Sequence, residues 1–261
     1  MTQDIRLDLV GSYAEIVLNK PEKRNALSVK MWQAIPDLIA QAEANEDVKV
    51  IIIHGGDAGT FAAGADISEF EEIYSTAKTA KAAAEGIDAA LTAIENCSKP
   101  TIASIDGACI GGGVSVAMST DIRVASSKSK FGVTPGKLGM VYPVGDTRRL
   151  LQAIGAGATK DILFTGRIFL APEAKSMGLI DHLTTETPAI EKARELAAQI
   201  GQISQWSTRA TKKMISGILD KGWTPTSPEA KELFLQGFAN EDFEDGFKAF
   251  LEKRPPNFTF K

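Results

Sequence analysis

The chain has 261 residues, 44% of them hydrophobic and 24% charged, with a net charge of −4 and a mean hydropathy near zero. That length can bury a large core, as one α/β unit or as a domain with a helical appendage. Lys and Arg are scattered, which excludes a nucleic-acid footprint or a polybasic membrane patch, and no apolar run approaches the ~20 residues of a membrane helix.

In chain order, MTQDIRLDLVG begins polar and acidic, unlike a signal or transit peptide. IRLDLV (5–10) and YAEIVL (13–18) alternate about Gly-Ser and predict a β-hairpin. NKPEKRNAL (19–27) reads as a loop, and Ser28 as the N-cap of a helix running to about Asn45, kinked at Pro36. VKVIIIHG (48–55) is a β-branched run that fits a strand buried on both faces. Gly-rich GGDAGTFAAGAD (55–66) follows, then an Ala-rich helical stretch to about Asn96. KPTIASID (99–106) predicts another strand, followed by GACIGGG and a helix. DIRVAS (121–126) reads as a third strand, FGVTP (131–135) as extended, and MGLID (177–181) as a strand that His182 follows. Beyond about residue 188 only helical periods remain. The alternation of strand, glycine turn and helix predicts parallel β-structure with right-handed crossovers. Cys97 and Cys109 have no CxxC spacing and read as reduced thiols in or near the core of a cytoplasmic protein.

Two turns could carry chemistry. FAAGAD (61–66) and ACIGGG (108–113) each follow a predicted strand and would expose backbone N–H groups where Gly and Ala allow close approach. The second opens a helix, whose orphan N–H groups and dipole favour negative charge. Converging at adjacent strand ends, the two would form an oxyanion hole. A glycine triplet before a helix also serves plain packing.

The joint pattern resembles the crotonase, or enoyl-CoA hydratase/isomerase, superfamily over essentially the whole chain. The matching residues are NKPEKRNAL (19–27), FAAGADISEF (61–70), KPTIASIDGACIGGG (99–113), DIRVAS (121–126), FGVTPGKLG (131–139), LFTGR (163–167), APEAKSMGLID (171–181) and FLEKRPPNF (250–258). The resemblance implies an α/β spiral of repeated ββα units over residues 1–190 holding the thioester site. A C-terminal helical oligomerisation segment over 191–261 would pack homotrimers, often paired as hexamers. It implies that the N–H groups of Ala65 and Gly112 form the oxyanion hole for a coenzyme A thioester carbonyl. Backbone around Lys23, Arg24 and Ala26, with Ala63, Asp66 and Ile67, would hold the CoA adenine and pantetheine. Lys253 or Arg254 of a neighbouring subunit would meet the CoA phosphates, unless that helix end is simply solvated.

Hydratases of this family activate water with two glutamates. The matching positions are Ser115 and Pro135, and neither titrates near neutral pH. Several isomerases and dehalogenases of the family carry an aspartate in the turn before the next helix, where this chain has Pro143. Asp146, in place of a family glycine, reads as an N-cap or a base. TPGKLGMVY (134–142) resembles the TPxxLGxxY stretch of the family's methylmalonyl-CoA decarboxylase, which works without the glutamate pair. That branch carries histidine where this chain has Ala65. Tyr142 would orient a reacting carboxylate, protonate an enolate, or merely line the acyl pocket with Ser115, Pro135, Leu138 and Gly139. His54 and His182 read as packing or surface residues without metal-ligand spacing, and Glu69, Glu71 and Glu72 as a solvated face from which one could swing in as base.

The expectation is an acyl-CoA enzyme that stabilises a thioester enolate and decarboxylates or isomerises it with Tyr142 or Asp146. Weak enoyl-CoA hydration and acyl-CoA binding without turnover are the alternatives. No metal, no nucleic acid, no membrane and no cofactor beyond coenzyme A as substrate carrier are expected.

Overall fold

IRLDLV and YAEIVL form strands β1 (Ile5–Val10) and β2 (Tyr13–Leu18), an antiparallel hairpin turned at Gly11, whose φ is 59°. The computed structural model describes residues 4–260. Ser28 caps α1 (Val29–Ala44) by accepting the Met31 N–H, and the helix continues through Pro36. VIIIH forms β3 (Val50–His54). Its side chains alternate between two apolar layers, as a strand buried on both faces must. Ile51 and Ile53 face Met31, Trp32 and Ile35 of α1, whereas Val50 and Ile52 face the opposite layer.

The Ala-rich stretch is not continuous. α2 (Phe70–Ile73) is one turn, and α3 (Ala77–Asn96) restarts at Thr76, which exchanges capping hydrogen bonds with Thr79. Then come β4 (Thr101–Ile105), β5 (Ala108–Ile110), α4 (Gly112–Ser119), β6 (Ile122–Ser126) and β7 (Lys130–Gly132). A 3-10 turn at Pro135–Leu138 ends the extended FGVTP segment. α5 (Val144–Thr165) is broken at Gly155, and β8 (Ile168–Leu170) and α6 (Ala171–Ser176) follow. The sheet strand expected at MGLID is β9 (His182–Thr184), so His182 opens the strand instead of following it. Gly178, at φ 88°, and the Leu179 N–H donated to Ala174 O make 177–180 the exit turn of α6.

The large sheet has the order β1-β2-β3-β4-β6-β9 and is parallel from β2 onward. β5, β7 and β8 make a second, small sheet. α1 and α3 cover one face of the large sheet. The other face packs on Ala189, Ala193 and Ala197 of α7 (Ala189–Gly201), so a division at 190/191 cuts a helix that belongs to the sheet. α8 (Gln205–Lys221), α9 (Pro228–Gln236) and α10 (Glu241–Glu252) complete the chain. Their facing side chains, Trp206, Met214, Phe234, Phe238, Phe243 and Phe247 among them, leave an apolar groove of about 620 Å³. Cys97 and Cys109 are free and buried, as expected of core thiols.

One part-buried charge cluster fastens α7 to the sheet. Arg194 donates to both Glu15 carboxylate oxygens, at 2.7 and 2.9 Å. His54 Nδ1 accepts the Gly56 N–H at 3.1 Å, which leaves the ring proton on Nε2, 3.3 Å from Glu15 Oε2. Burial alone would raise the Glu15 carboxyl, but hydrogen bonds from His54 and Arg194 outweigh it and hold the group at about 2, from an ordinary 4.5. A depressed carboxylate adds stability above its unfolded value and loses it as pH falls through the folded one, here between 4.5 and about 2. Over that window wild type is expected to lose up to about 3 kcal/mol that a Glu15→Gln variant never had. Denaturant unfolding at pH 5, 4 and 3 checks this; parallel pH curves for the two proteins would refute it.

Candidate active site

The loop NKPEKRNAL is folded around one side chain. Asn25 is fully buried in a left-handed conformation, φ 54°. Its Oδ1 accepts the Lys20 N–H at 2.8 Å, and its Nδ2 donates to Gly55 O and Thr60 O at 2.9 and 2.7 Å. The 19–27 loop and the loop after β3 are thereby one unit. Further bonds continue the seam: the Ala63 N–H donates to Arg24 O, and the Leu27 N–H to Gly64 O. Arg24, Ala26, Ala63 and Ile67, four of the residues expected to hold CoA, therefore lie along one strip of backbone.

The side chains of Lys23 and Asp66 tie this strip together. The buried Asp66 carboxylate accepts Lys20 Nζ at 3.1 Å, Lys23 Nζ at 2.7 Å and the Ser68 hydroxyl at 2.7 Å. Burial pushes this carboxyl up, yet the lysine and serine hydrogen bonds win and hold it well below the usual carboxylate range. Lys23 also donates to Ser68, so its ammonium braces the loop. Glu69 accepts the Val29 N–H at 2.8 Å and caps α1 beside Ser28; Glu71 and Glu72 are solvated. Lys253 is the left-handed C-cap of α10, and Arg254 is bound to Asp245 and Glu252 of its own chain.

The two glycine turns meet backbone to backbone. A Cβ placed on Gly64 would lie 3.4 Å from Ile110 O, and one on Gly111 would lie 4.0 Å from Gly64 Cα. Ala65 forms a parallel bridge with Leu27, in which Leu27 bonds to Gly64 O and to the Asp66 N–H. In that pattern the amide of Ala65 points away from Leu27. Gly111, at φ 50°, turns the chain into α4, whose first N–H belongs to Gly112 and has no partner within the helix.

Beside this turn, Ser115 Oγ lies 2.8 Å from Tyr142 Oη, and both hydroxyls are within 3.5 Å of Gly111 O. Burial pushes the Tyr142 phenol above its ordinary value, and the negative charge of nearby Asp146 adds to that, so it is a neutral O–H donor. Asp146 is not an N-cap. That place is held by Pro143 without a side-chain bond, and Asp146, 3% exposed, lies one turn in, directed at α3 and α4. Burial raises its carboxyl, as do Asp88 and Glu95 of α3, while Arg149 and the Ser115 hydroxyl favour the charged form. Arg149 reaches Asp146 at 3.4 Å but forks onto Glu95 at 2.6 and 3.2 Å. Arg148 holds Glu95 at 2.6 Å and pairs with Asp220.

The structure thus brings Ser115, Tyr142 and Asp146 together. Pro135 and Leu138 lie on the 3-10 turn, with Gly139 as its cap, where Leu138 is 55% exposed and Gly139 is at the surface. Sequence reasoning missed the roles of Asn25 and of the Arg149–Glu95 fork. The Arg-Arg pair after Asp146 was a visible signal, because two cations there demand acidic partners.

The architecture and the paired turns place the chain in the crotonase superfamily. A profile of the enoyl-CoA hydratase/isomerase family matches residues 10–261, and the chain belongs to that family. It is similar to an enoyl-CoA hydratase/isomerase family protein of Hyphomonas neptunium of solved structure, with 67% identity, coverage of 99% and 98% of the two chains, and a TM-score of 0.97. It also resembles an enoyl-CoA hydratase/carnithine racemase of Magnetospirillum magneticum, 30% identical over 100% and 97% of the chains, at a TM-score of 0.94. Among curated relatives, the short-chain-enoyl-CoA hydratase of Clostridium acetobutylicum is 31% identical over 251 residues, covering 96% of this chain and 95% of the relative.

Proposed function

We propose that this protein acts on acyl-CoA thioesters and stabilises their enolates with the N–H groups of Ala65 and Gly112, the CoA moiety lying along Lys23–Ala26 and Ala63–Ile67. The reaction is decarboxylation or double-bond isomerisation, not water addition by a glutamate pair. The observation that carries this reading is the Ser115–Tyr142 hydroxyl pair, 2.8 Å apart beside the Gly111 turn, at the position of the first hydratase glutamate. An enolate concentrates charge on one oxygen, and a preorganised donor is typically worth about 2.7–4 kcal/mol of barrier. No other cofactor enters this chemistry, and the site is read as that of a cytoplasmic enzyme. Homotrimers or paired trimers would cover the exposed Phe234, Phe247 and Phe250.

The hydratase names of the curated relatives support weak 2-enoyl-CoA hydration as a second reading. The acid-free positions Ser115, Pro135 and Pro143 support binding without turnover as a third. A panel of malonyl-, 3-enoyl- and 2-enoyl-CoA, with butyryl-CoA exchange in D₂O followed by NMR, separates them. Exchange next to the thioester and turnover of the first or second substrate are expected. Rapid hydration that survives Tyr142→Phe and Asp146→Ala would sink the reading; binding with no exchange and no turnover would favour the third.

A further inference from the structure

We propose that Leu27 and Trp32 are positioning residues that fix the spacing between the Ala65 and Gly112 amides. The inference rests on the enolate reading above and names what holds its two N–H groups in place. Ala65 lies between β3 and α2, and Gly112 opens α4. Both are partly exposed, whereas Leu27 and Trp32 are buried.

Leu27 touches both turns. Its main chain flanks Ala65: the Leu27 N–H donates to Gly64 O at 2.8 Å, and Leu27 O accepts the Asp66 N–H at 2.9 Å. Its side chain meets the other turn, because a Cβ placed on Gly112 would lie 3.4 Å from Leu27 Cδ1. Trp32 closes the same side of Gly112, its Cζ2 3.0 Å and its Cη2 3.6 Å from that Cβ position. The Trp32 N–H donates to Ser28 O at 3.0 Å, so the indole is carried on the first turns of the helix that Ser28 caps. It is 4% exposed, within the core that α1 shares with the sheet, and a close-packed interior leaves such a ring no room to retreat.

Backbone shape does not explain the glycine at 112. Gly111 turns the chain with a positive φ, but Gly112 has none and is the first residue of α4, where alanine is the better helix former. What excludes a side chain there is the indole. A methyl group at 112 must push α4 away from α1, and a smaller ring at 32 must let it approach. The Gly112 amide moves with α4, while that of Ala65 stays with Leu27. Two donors serve one oxygen only when both stand about 2.7–3.1 Å from it, so the packing of Leu27 and Trp32 sets whether they converge.

The experiment compares wild type with Gly112→Ala, Trp32→Phe and the double variant. Two readouts are taken on butyryl-CoA: exchange in D₂O next to the thioester, and the infrared stretch of its ¹³C-labelled carbonyl when bound. Gly112→Ala keeps the amide and alters only where it stands. It is expected to lower the maximal exchange rate about 100-fold, with half-saturation within about 3-fold, and to lose much of the wild-type downshift of the carbonyl stretch. Trp32→Phe alone is expected to cost about 10-fold. In the double variant the methyl group takes space that the smaller ring vacates. It is expected to exchange faster than Gly112→Ala, by about 10-fold, with the carbonyl stretch returning toward wild type. A ring that served folding alone would leave the bound carbonyl frequency unmoved. A double variant no faster than Gly112→Ala, or Gly112→Ala within about 3-fold of wild type, overturns the positioning role, while wild-type exchange and carbonyl downshift still uphold the enolate reading. Should Gly112→Ala not fold, Trp32→Phe decides alone: a wild-type rate and carbonyl frequency overturn the role. Wild type that neither exchanges nor shifts the bound carbonyl overturns both.

Discussion

Tyr142→Phe is expected to lower turnover of a 3-enoyl-CoA about 10³-fold while leaving KM within about 3-fold. In the proposed reaction the Tyr142 phenol would hold the reacting group and supply the proton, so removing its hydroxyl would discard both roles. General acid–base steps of this kind contribute roughly 10²–10⁴. The cost to folding is small. The phenylalanine ring keeps the packing of Tyr142 against the core, and Ser115 Oγ retains Gly111 O at 3.4 Å. One lost neutral hydrogen bond is worth about 1 kcal/mol, or roughly 2–4 °C in a chain of this size. Steady-state kinetics and a melting curve separate the two effects. A rate within a few-fold of wild type would remove Tyr142 from the chemistry.

Gly113→Ala is expected to damage both stability and rate. Its Cβ would lie 2.7 Å from Ala62 O and 3.0 Å from Ala62 Cβ. Ala62 cannot retreat, because its N–H donates to Ala108 O and its carbonyl accepts the Ile110 N–H. The helix must give instead, which carries the Gly112 N–H away from that of Ala65. Overpacking of this kind costs about 1–3 kcal/mol, and loss of one oxyanion donor about 10²–10³ in rate. A fall of at least about 100-fold in kcat/KM is expected, with a lowered melting temperature. Gly86→Ala in α3 serves as the control: its Cβ meets nothing within 4 Å, and helix propensity favours it by up to about 1 kcal/mol. Equal behaviour of the two variants would mean that the turns are not sterically locked.

What the sequence made legible was local. The hairpin, the Ser28 cap and β3 rest on alternation, a capping hydroxyl and a β-branched run, each complete within a few residues. The glycine turns were legible for the same reason: only glycine suits the φ of 50° with ψ of −110° at Gly111. Asp146 was misread because N-cap and N3 differ by three residues in sequence but by the whole inside of the helix in space. Its direction is set by how α5 packs on α3 and α4, which no local pattern encodes. The Glu15–Arg194 pair joins residues 179 positions apart, and such a pair is invisible until the sheet and α7 are in place. β9 was displaced because MGLID carries a strand's composition but also the left-handed glycine that ends α6.

Asn25 has a chemical consequence beyond architecture. Its amide reads two neighbours of opposite kind: Oδ1 receives a donor, while Nδ2 faces the two carbonyls Gly55 O and Thr60 O. Aspartate has the same shape and would satisfy the first contact unchanged. On the other side it would set carboxylate lone pairs against two carbonyl oxygens. Deamidation of this one side chain, which replaces its amide nitrogen by oxygen and leaves a negative charge, would therefore part the loop carrying Arg24 from the loop carrying Ala65, so that spontaneous ageing of the polypeptide would open the seam between them.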